Sequence, residues 1–138
     1  WKIFLGERIL SEELDKILHV EDEVDIQEVA RMALEAVGGL TVRTCSDGEE
    51  ALAAAPEFSP DLFLLDVMMP GMDGPETFQA LQKLSGFENT PAIFMTAKVM
   101  EAEVVRFTEL GALGVIAKPF DPVTLSDQIR ELWQQRNG

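Results

Sequence analysis

Two kinds of pattern alternate along this chain. Short apolar runs recur at Lys16-Ile17-Leu18-His19-Val20 and Asp61-Leu62-Phe63-Leu64-Leu65-Asp66, with weaker versions at Leu40 to Cys45, Pro91 to Met95 and Leu113 to Ala117. The 61–66 run is apolar on both faces through its middle, which predicts a strand buried on both sides, as in a parallel sheet. Helical patterns lie between the runs. Ile26, Val29, Ala30, Ala33, Leu34 and Val37 follow the i, i+3, i+4, i+7, i+8, i+11 spacing of one helix face. Gly38-Gly39 then supplies a stop. Asp47 and Glu50 are spaced like a capping box that opens an alanine-rich helix. Pro75 fits the first turn of a helix carrying Phe78, Leu81 and Leu84. Val99 to Leu110 reads as a fourth helix, and Asp121-Pro122 opens a fifth with Leu125, Ile129 and Leu132 facing inward.

Strand and helix thus alternate five times. Right-handed crossovers place such helices on both faces of a parallel sheet. Ligands then bind at the carboxyl ends of the strands, beside a switch in strand order. No internal repeat, low-complexity stretch or linker interrupts the pattern, so residues 15–138 read as one domain. Residues 1–14 fall outside it. Trp1, Leu5, Ile9 and Leu10 would line one face of an extra helix, and a leader fits the same residues equally well.

Composition narrows the function classes. The chain has 138 residues, 46% of them hydrophobic, enough for one ordinary core. No apolar run approaches the roughly 20 residues needed to span a bilayer. Glu7, Glu12, Glu13 and Asp15 interrupt the N-terminal apolar residues, unlike a secretory signal. The one cysteine, Cys45, has no partner for an internal disulfide, and the cytoplasm is the expected compartment. A net charge of −14 repels nucleic-acid phosphates and anionic membranes. Direct binding to either is therefore not expected; metal cations and basic surfaces are the natural partners. Most of these acids serve solubility, so the chemistry depends on which of them converge.

Several polar residues fall where such a fold builds its site. Glu21 and Asp22 follow the first predicted strand, Asp66 ends the third, Thr96 the fourth, and Lys118 the fifth, with Pro119 after it. Three carboxylates brought together repel one another. A hard divalent cation offsets that repulsion, and Mg²⁺ prefers such oxygen ligands. A carboxylate such as Asp66 then serves as a nucleophile that forms an acyl phosphate. The metal and Lys118 would neutralise the equatorial oxygens of the transition state, and the Thr96 hydroxyl would hydrogen-bond to the attached group.

The segments Ile17-Leu18-His19-Val20-Glu21-Asp22-Glu23, Leu64-Leu65-Asp66-Val67-Met68-Met69-Pro70-Gly71-Met72-Asp73-Gly74, Met95-Thr96-Ala97 and Ala117-Lys118-Pro119-Phe120 resemble the signature of response regulator receiver domains. Each motif alone is weak; together, in order from about residue 15 to the last helix, they are specific. The resemblance implies a flavodoxin-like, doubly wound (βα)5 parallel sheet in strand order 2-1-3-4-5. It implies Asp66 as phosphoacceptor, Thr96 (followed by Ala97) as the switch hydroxyl, and Lys118 as the residue that contacts the phosphoryl group. It implies Mg²⁺ held by Asp22 directly, by Glu21 through water, by Asp66, and by the backbone carbonyl of Met68. Pro119 corresponds to a cis-proline. The implied donor is a phosphohistidine on a sensor histidine kinase or phosphotransfer protein, and the domain acts as a switch rather than an enzyme. A downstream protein target and a homodimer through the last two helices and fifth strand complete the expectation.

Two features depart from the family pattern. Glu21-Asp22 stands where Asp-Asp is usual, and Val115 stands where an aromatic residue is common. Output would then rely on the Thr96–Lys98 loop and the helix after it. Three competing readings are weaker. A receiver that binds a partner without phosphorylation is disfavoured by the intact Asp66, Thr96 and Lys118. A haloacid-dehalogenase-like phosphatase usually carries a second aspartate two positions after the first, and here that position is Met68. A flavin site lacks its Ser/Thr-rich loop after the first strand. Among the remaining residues, His19 reads as a core or half-buried histidine and Cys45 as structural. Glu23 reads as an exposed first-turn acid. Met68, Met69 and Met72 read as loop packing, and Asp73-Gly74 as turn and helix-start chemistry.

Overall fold

The computed structural model describes residues 13–136. Its five strands are β1 (Lys16–Val20), β2 (Thr41–Cys45), β3 (Leu62–Asp66), β4 (Ala92–Thr96) and β5 (Ala112–Ala117). They form one parallel sheet, as the alternating pattern predicts, in the order β2-β1-β3-β4-β5 that the resemblance to receiver domains implies. The helices are α1 (Val24–Arg31, continuing as a wider stretch Met32–Val37), α2 (Gly48–Phe58), α3 (Gly74–Gln82), α4 (Glu101–Leu110) and α5 (Leu125–Gln135). The expected extra helix in 1–14 lies outside the described residues except for Glu13 and Leu14, and Leu14 packs against the core.

Side chains alternate across a strand, so each strand feeds two cores. Leu18, Val20, Phe63, Leu65 and Phe94 pack with Ala51, Ala54 and Ala55 of α2, Phe78 and Leu81 of α3, and Phe107 of α4. Ile17, Leu62, Leu64, Ile93 and Met95 pack with Ala33 and Leu34 of α1 and Leu125, Ile129 and Trp133 of α5. Aromatic rings knit the first core: Phe63 meets Phe78 edge-on at 6.4 Å, Phe78 meets Phe94 at 5.9 Å, and Phe94 meets Phe107 at 4.7 Å. Such pairs add about 1 kcal/mol each beyond their area.

Four local expectations are corrected. Val29 and Val37, assigned to the buried face of α1, are 40% and 55% exposed. The helix widens at its end, with the Gly38 N–H reaching back five residues to the Ala33 carbonyl. The wider turn breaks the 3.6-residue phase and rotates Val37 outward. At α2, Asp47 does accept from the Glu50 N–H, but the Glu50 carboxylate accepts from Ser46, so only half of the predicted box forms. The full capping box lies at α3, between Asp73 and Glu76. The fifth helix begins at Leu125 instead of Asp121-Pro122, because 121–124 close into a turn with the Asp121 side chain accepting from Val123. Likewise α4 begins at Glu101, leaving Val99 outside it.

The start of α3 presses directly on the carboxyl end of β3. The Gly74 N–H donates to the Val67 carbonyl at 2.9 Å. A Cβ at Gly74 would stand 2.4 Å from the Asp66 carbonyl oxygen and 3.0 Å from the Val67 Cα. Both neighbours are backbone and have no rotamer with which to yield. Gly74→Ala is expected to lower stability by about 2 kcal/mol in denaturant unfolding. The up to about 1 kcal/mol that alanine gains over glycine in a helix does not offset the clash.

Candidate functional site

The ladder brings the polar residues to one rim. Val20 aligns with Leu65, Asp66 with Met95, and Thr96 with Ala117. Main-chain bonds extend the register past the strand ends: Glu21 N–H to the Cys45 carbonyl (3.0 Å), Val67 N–H to Met95 (2.9 Å), and Lys118 N–H to Thr96 (2.8 Å). Glu21, Asp66, Thr96 and Lys118 are thereby carried to the same edge, as the β-α pattern requires.

Side-chain geometry is tightest around Lys118. Its Nζ donates to Glu21 Oε1 at 2.9 Å and lies 3.1 Å from Asp66 Oδ1. Glu21 is fully buried, Asp66 is nearly so, and Asp22 is exposed. One carboxylate oxygen from each of Glu21, Asp22 and Asp66 lies within 4.8 Å of the others. The Glu23 N–H donates to Glu21 Oε2 at 3.1 Å. Gln27 Nε2 donates to the Glu21 carbonyl and, at 3.3 Å, to Ser46 Oγ, tying α1 to two site loops. Thr96 Oγ1 is 3.4 Å from both the N–H and the carbonyl of Lys98. The Lys118–Pro119 peptide is cis.

Electrostatics follow from one ammonium among three carboxylates. Burial pushes the Asp66 pKa up; the Lys118 hydrogen bond and charge pull it back, and the Asp22 charge adds to the rise. Glu21 is likewise raised, first by burial and further by the Asp66 charge, against the pull of Lys118 and the Glu23 amide. Burial works against the Lys118 ammonium, but its hydrogen bonds to Glu21 and Asp66 prevail and raise its pKa. The directions are consistent: the single cation is over-supplied with anions, and the anions share too little positive charge. This all-oxygen, net-negative cluster with one exposed member fits a hard divalent cation such as Mg²⁺.

The site opens into a pocket with an apolar wall formed by Ile26 and Val29 of α1, Met68, and Pro119-Phe120. Periodicity had assigned Ile26 and Val29 to the core, so their place beside the carboxylates was missed. Gln27 and the Glu23 amide were missed as well, since a main-chain donor and a glutamine one helical turn away leave no motif. Met68 is 77% exposed, which removes it from the packing role expected for it, whereas Met69 is buried. His19 is fully buried and Cys45 is a buried free thiol whose pKa burial raises to about 11, so neither joins the chemistry. Val115 is half-buried against the Phe94 and Phe107 core.

The family described as "Response regulator receiver domain" matches residues 17–130. The DNA-binding response regulator MtrA of Mycobacterium tuberculosis is 38% identical over 115 residues, 83% of this chain and 49% of that protein. The alkaline phosphatase synthesis transcriptional regulatory protein PhoP of Bacillus subtilis is 41% identical over 119 residues, 85% of this chain and 48% of that protein. The chain therefore spans about half the length of these curated relatives. Among solved structures, chemotaxis protein CheY4 of Vibrio cholerae superposes with a TM-score of 0.80 at 32% identity, covering 87% of this chain and 99% of that one. No helix among the described residues is long and apolar enough to cross a membrane.

Proposed function

Because this chain belongs to the family of response regulator receiver domains, we propose that it accepts a phosphoryl group on Asp66 and changes conformation and partner in response. The donor is a phosphohistidine on a sensor histidine kinase or phosphotransfer protein, and the compartment is the cytoplasm. The observation that carries this reading is the meeting of Glu21, Asp22, Asp66 and Lys118 at one rim of the sheet.

In the transfer, an Asp66 carboxylate oxygen attacks phosphorus. A P–O bond forms while the P–N bond to the donor imidazole breaks, and its electron pair returns to the ring nitrogen. Lys118, already 3.1 Å from Asp66 Oδ1, holds the phosphoryl oxygens, and the Thr96 hydroxyl donates to the attached group. Asp22, Asp66, the Met68 carbonyl and, through water, Glu21 would hold Mg²⁺, which when bound neutralises charge on the transferring group. Water attack at phosphorus later releases inorganic phosphate and restores the carboxylate. The domain is thus a switch with limited chemistry of its own. The added charge shifts an existing two-state equilibrium. With Val115 in place of an aromatic, the Thr96–Lys98 loop and α4 transmit the change. The face of α4, β5 and α5 is the surface for a downstream protein or a second copy; at its α4 end Val99, Met100 and Val105 are exposed.

Incubation with acetyl phosphate and Mg²⁺ is expected to give a phosphate-sized gain in intact mass, abolished when EDTA strips divalent cations. A folded sample that gains nothing with Mg²⁺ present overturns the proposal.

A further inference from the structure

Glu21 and Lys118 follow β1 and β5, strands separated by β3 and β4 and three inter-strand spacings apart in the sheet order. That is roughly 14 Å along the rim. Only two long side chains leaning toward each other span such a gap, and the glutamate is longer than an aspartate by one methylene. The contact is the shorter of the two that Lys118 makes, 2.9 Å against 3.1 Å to Asp66. Glu21's other oxygen is held by the Glu23 N–H, and its main-chain carbonyl by Gln27. Asp22, by contrast, is exposed and faces the open pocket.

We propose that Glu21 is the positioning residue of Lys118: it holds the ammonium beside the Asp66 carboxylate, and its charge is committed to that lysine before any divalent cation. Lys118 is then the resident counter-ion of the metal-free site. Metal affinity rests mainly on Asp22 and Asp66, and Glu21, acting through water, adds little to it until the lysine is gone. The inference depends on the reading of Asp66 as a Mg²⁺-assisted acceptor.

A double-mutant cycle on Mg²⁺ affinity, measured by calorimetry without any phosphodonor, tests it. With Lys118 present, Glu21→Gln is expected to weaken Mg²⁺ binding by less than about threefold. In the Lys118→Met background the freed carboxylate faces the cation, and Glu21→Gln is expected to weaken binding by about tenfold or more. Lys118→Met alone is expected to tighten Mg²⁺ binding, because a competing cation has left. Circular dichroism checks each fold, and Lys118→Gln replaces Lys118→Met if the latter does not fold. As a second readout, acetyl phosphate labelling at saturating Mg²⁺ is expected to slow about tenfold in Glu21→Gln, with no added slowing on top of Lys118→Met. Equal Glu21→Gln effects on Mg²⁺ affinity in both backgrounds overturn the assignment of Glu21 alone. A wild type that binds no Mg²⁺ overturns the parent reading, and with it this one.

Discussion

Asp66→Asn is expected to show no phosphate-sized mass gain under conditions that label the wild type fully. The amide has the shape of the carboxylate but no anionic oxygen to attack phosphorus, so the effect is chemical and complete. The same substitution is expected to weaken Mg²⁺ binding by about tenfold or more, since it removes one of three clustered carboxylates. Stability of the metal-free protein should move the other way. Burial and the Asp22 charge raise the Asp66 pKa, so its ionised form is disfavoured in the fold at neutral pH. Asparagine removes that penalty, and Lys118 keeps Glu21 as its partner. Stability in denaturant unfolding at pH 7 is expected to be equal to or above that of wild type. An unfolding midpoint at or above that of wild type, together with absent labelling, separates lost chemistry from lost structure. Labelling that survives Asp66→Asn moves the acceptor to another residue.

The parallel sheet and the rim where the polar residues meet were legible because both follow from coarse patterns, while the strand order came with the resemblance to receiver domains. Apolar runs such as Leu62–Leu65 are long enough for a strand and too short for a helix, and their alternation with helices implies a parallel sheet. Polar residues that follow such runs, Glu21, Asp66 and Lys118, must reach the carboxyl rim whatever the loops do. Finer features depend on contacts between distant segments, which periodicity does not carry. The wider turn at the end of α1 arises where α1 meets α5. A Cβ at Gly38 would lie 2.6 Å from that of Ser126, and Arg130 donates to the Gly38 carbonyl at 2.6 Å. Nothing local to Met32–Val37 signals it. Trp133 was likewise passed over beside Leu132, yet Trp133 is the more buried of the two. The partner of Lys118 was hidden for the same reason: a motif gives Glu21 and Lys118 separate roles, and only three-dimensional proximity shows that they form a pair.

The pair also bears on the most unusual residue of the core. His19 is fully buried in β1, and neither ring nitrogen finds a hydrogen-bond partner among the described residues. Burial, helped by the nearby charges of Lys118 and Arg31, lowers its pKa from 6.5 to about 4. Above pH 6.5 the ring is neutral in both folded and unfolded chains. As pH falls through 6.5 the unfolded chain takes up a proton that the native state refuses. Stability should therefore drop until about pH 4, by about 3 kcal/mol in all. Glu21 and Asp66 act in the opposite sense. Their raised folded values let the native state take protons first, so stability from these two rises as pH falls through those values. Wild-type stability alone mixes the two trends, and His19→Leu separates them. Leucine removes two unpartnered buried nitrogens and should stabilise the protein by about 1 kcal/mol at pH 7.5. Its advantage should then widen by about 3 kcal/mol between pH 7.5 and pH 4, read from denaturant unfolding in metal-free buffer. Parallel curves for the two proteins would mean that the His19 ring takes up its proton as readily in the native state as in the unfolded chain. That result is incompatible with a ring sealed between the sheet and its helices.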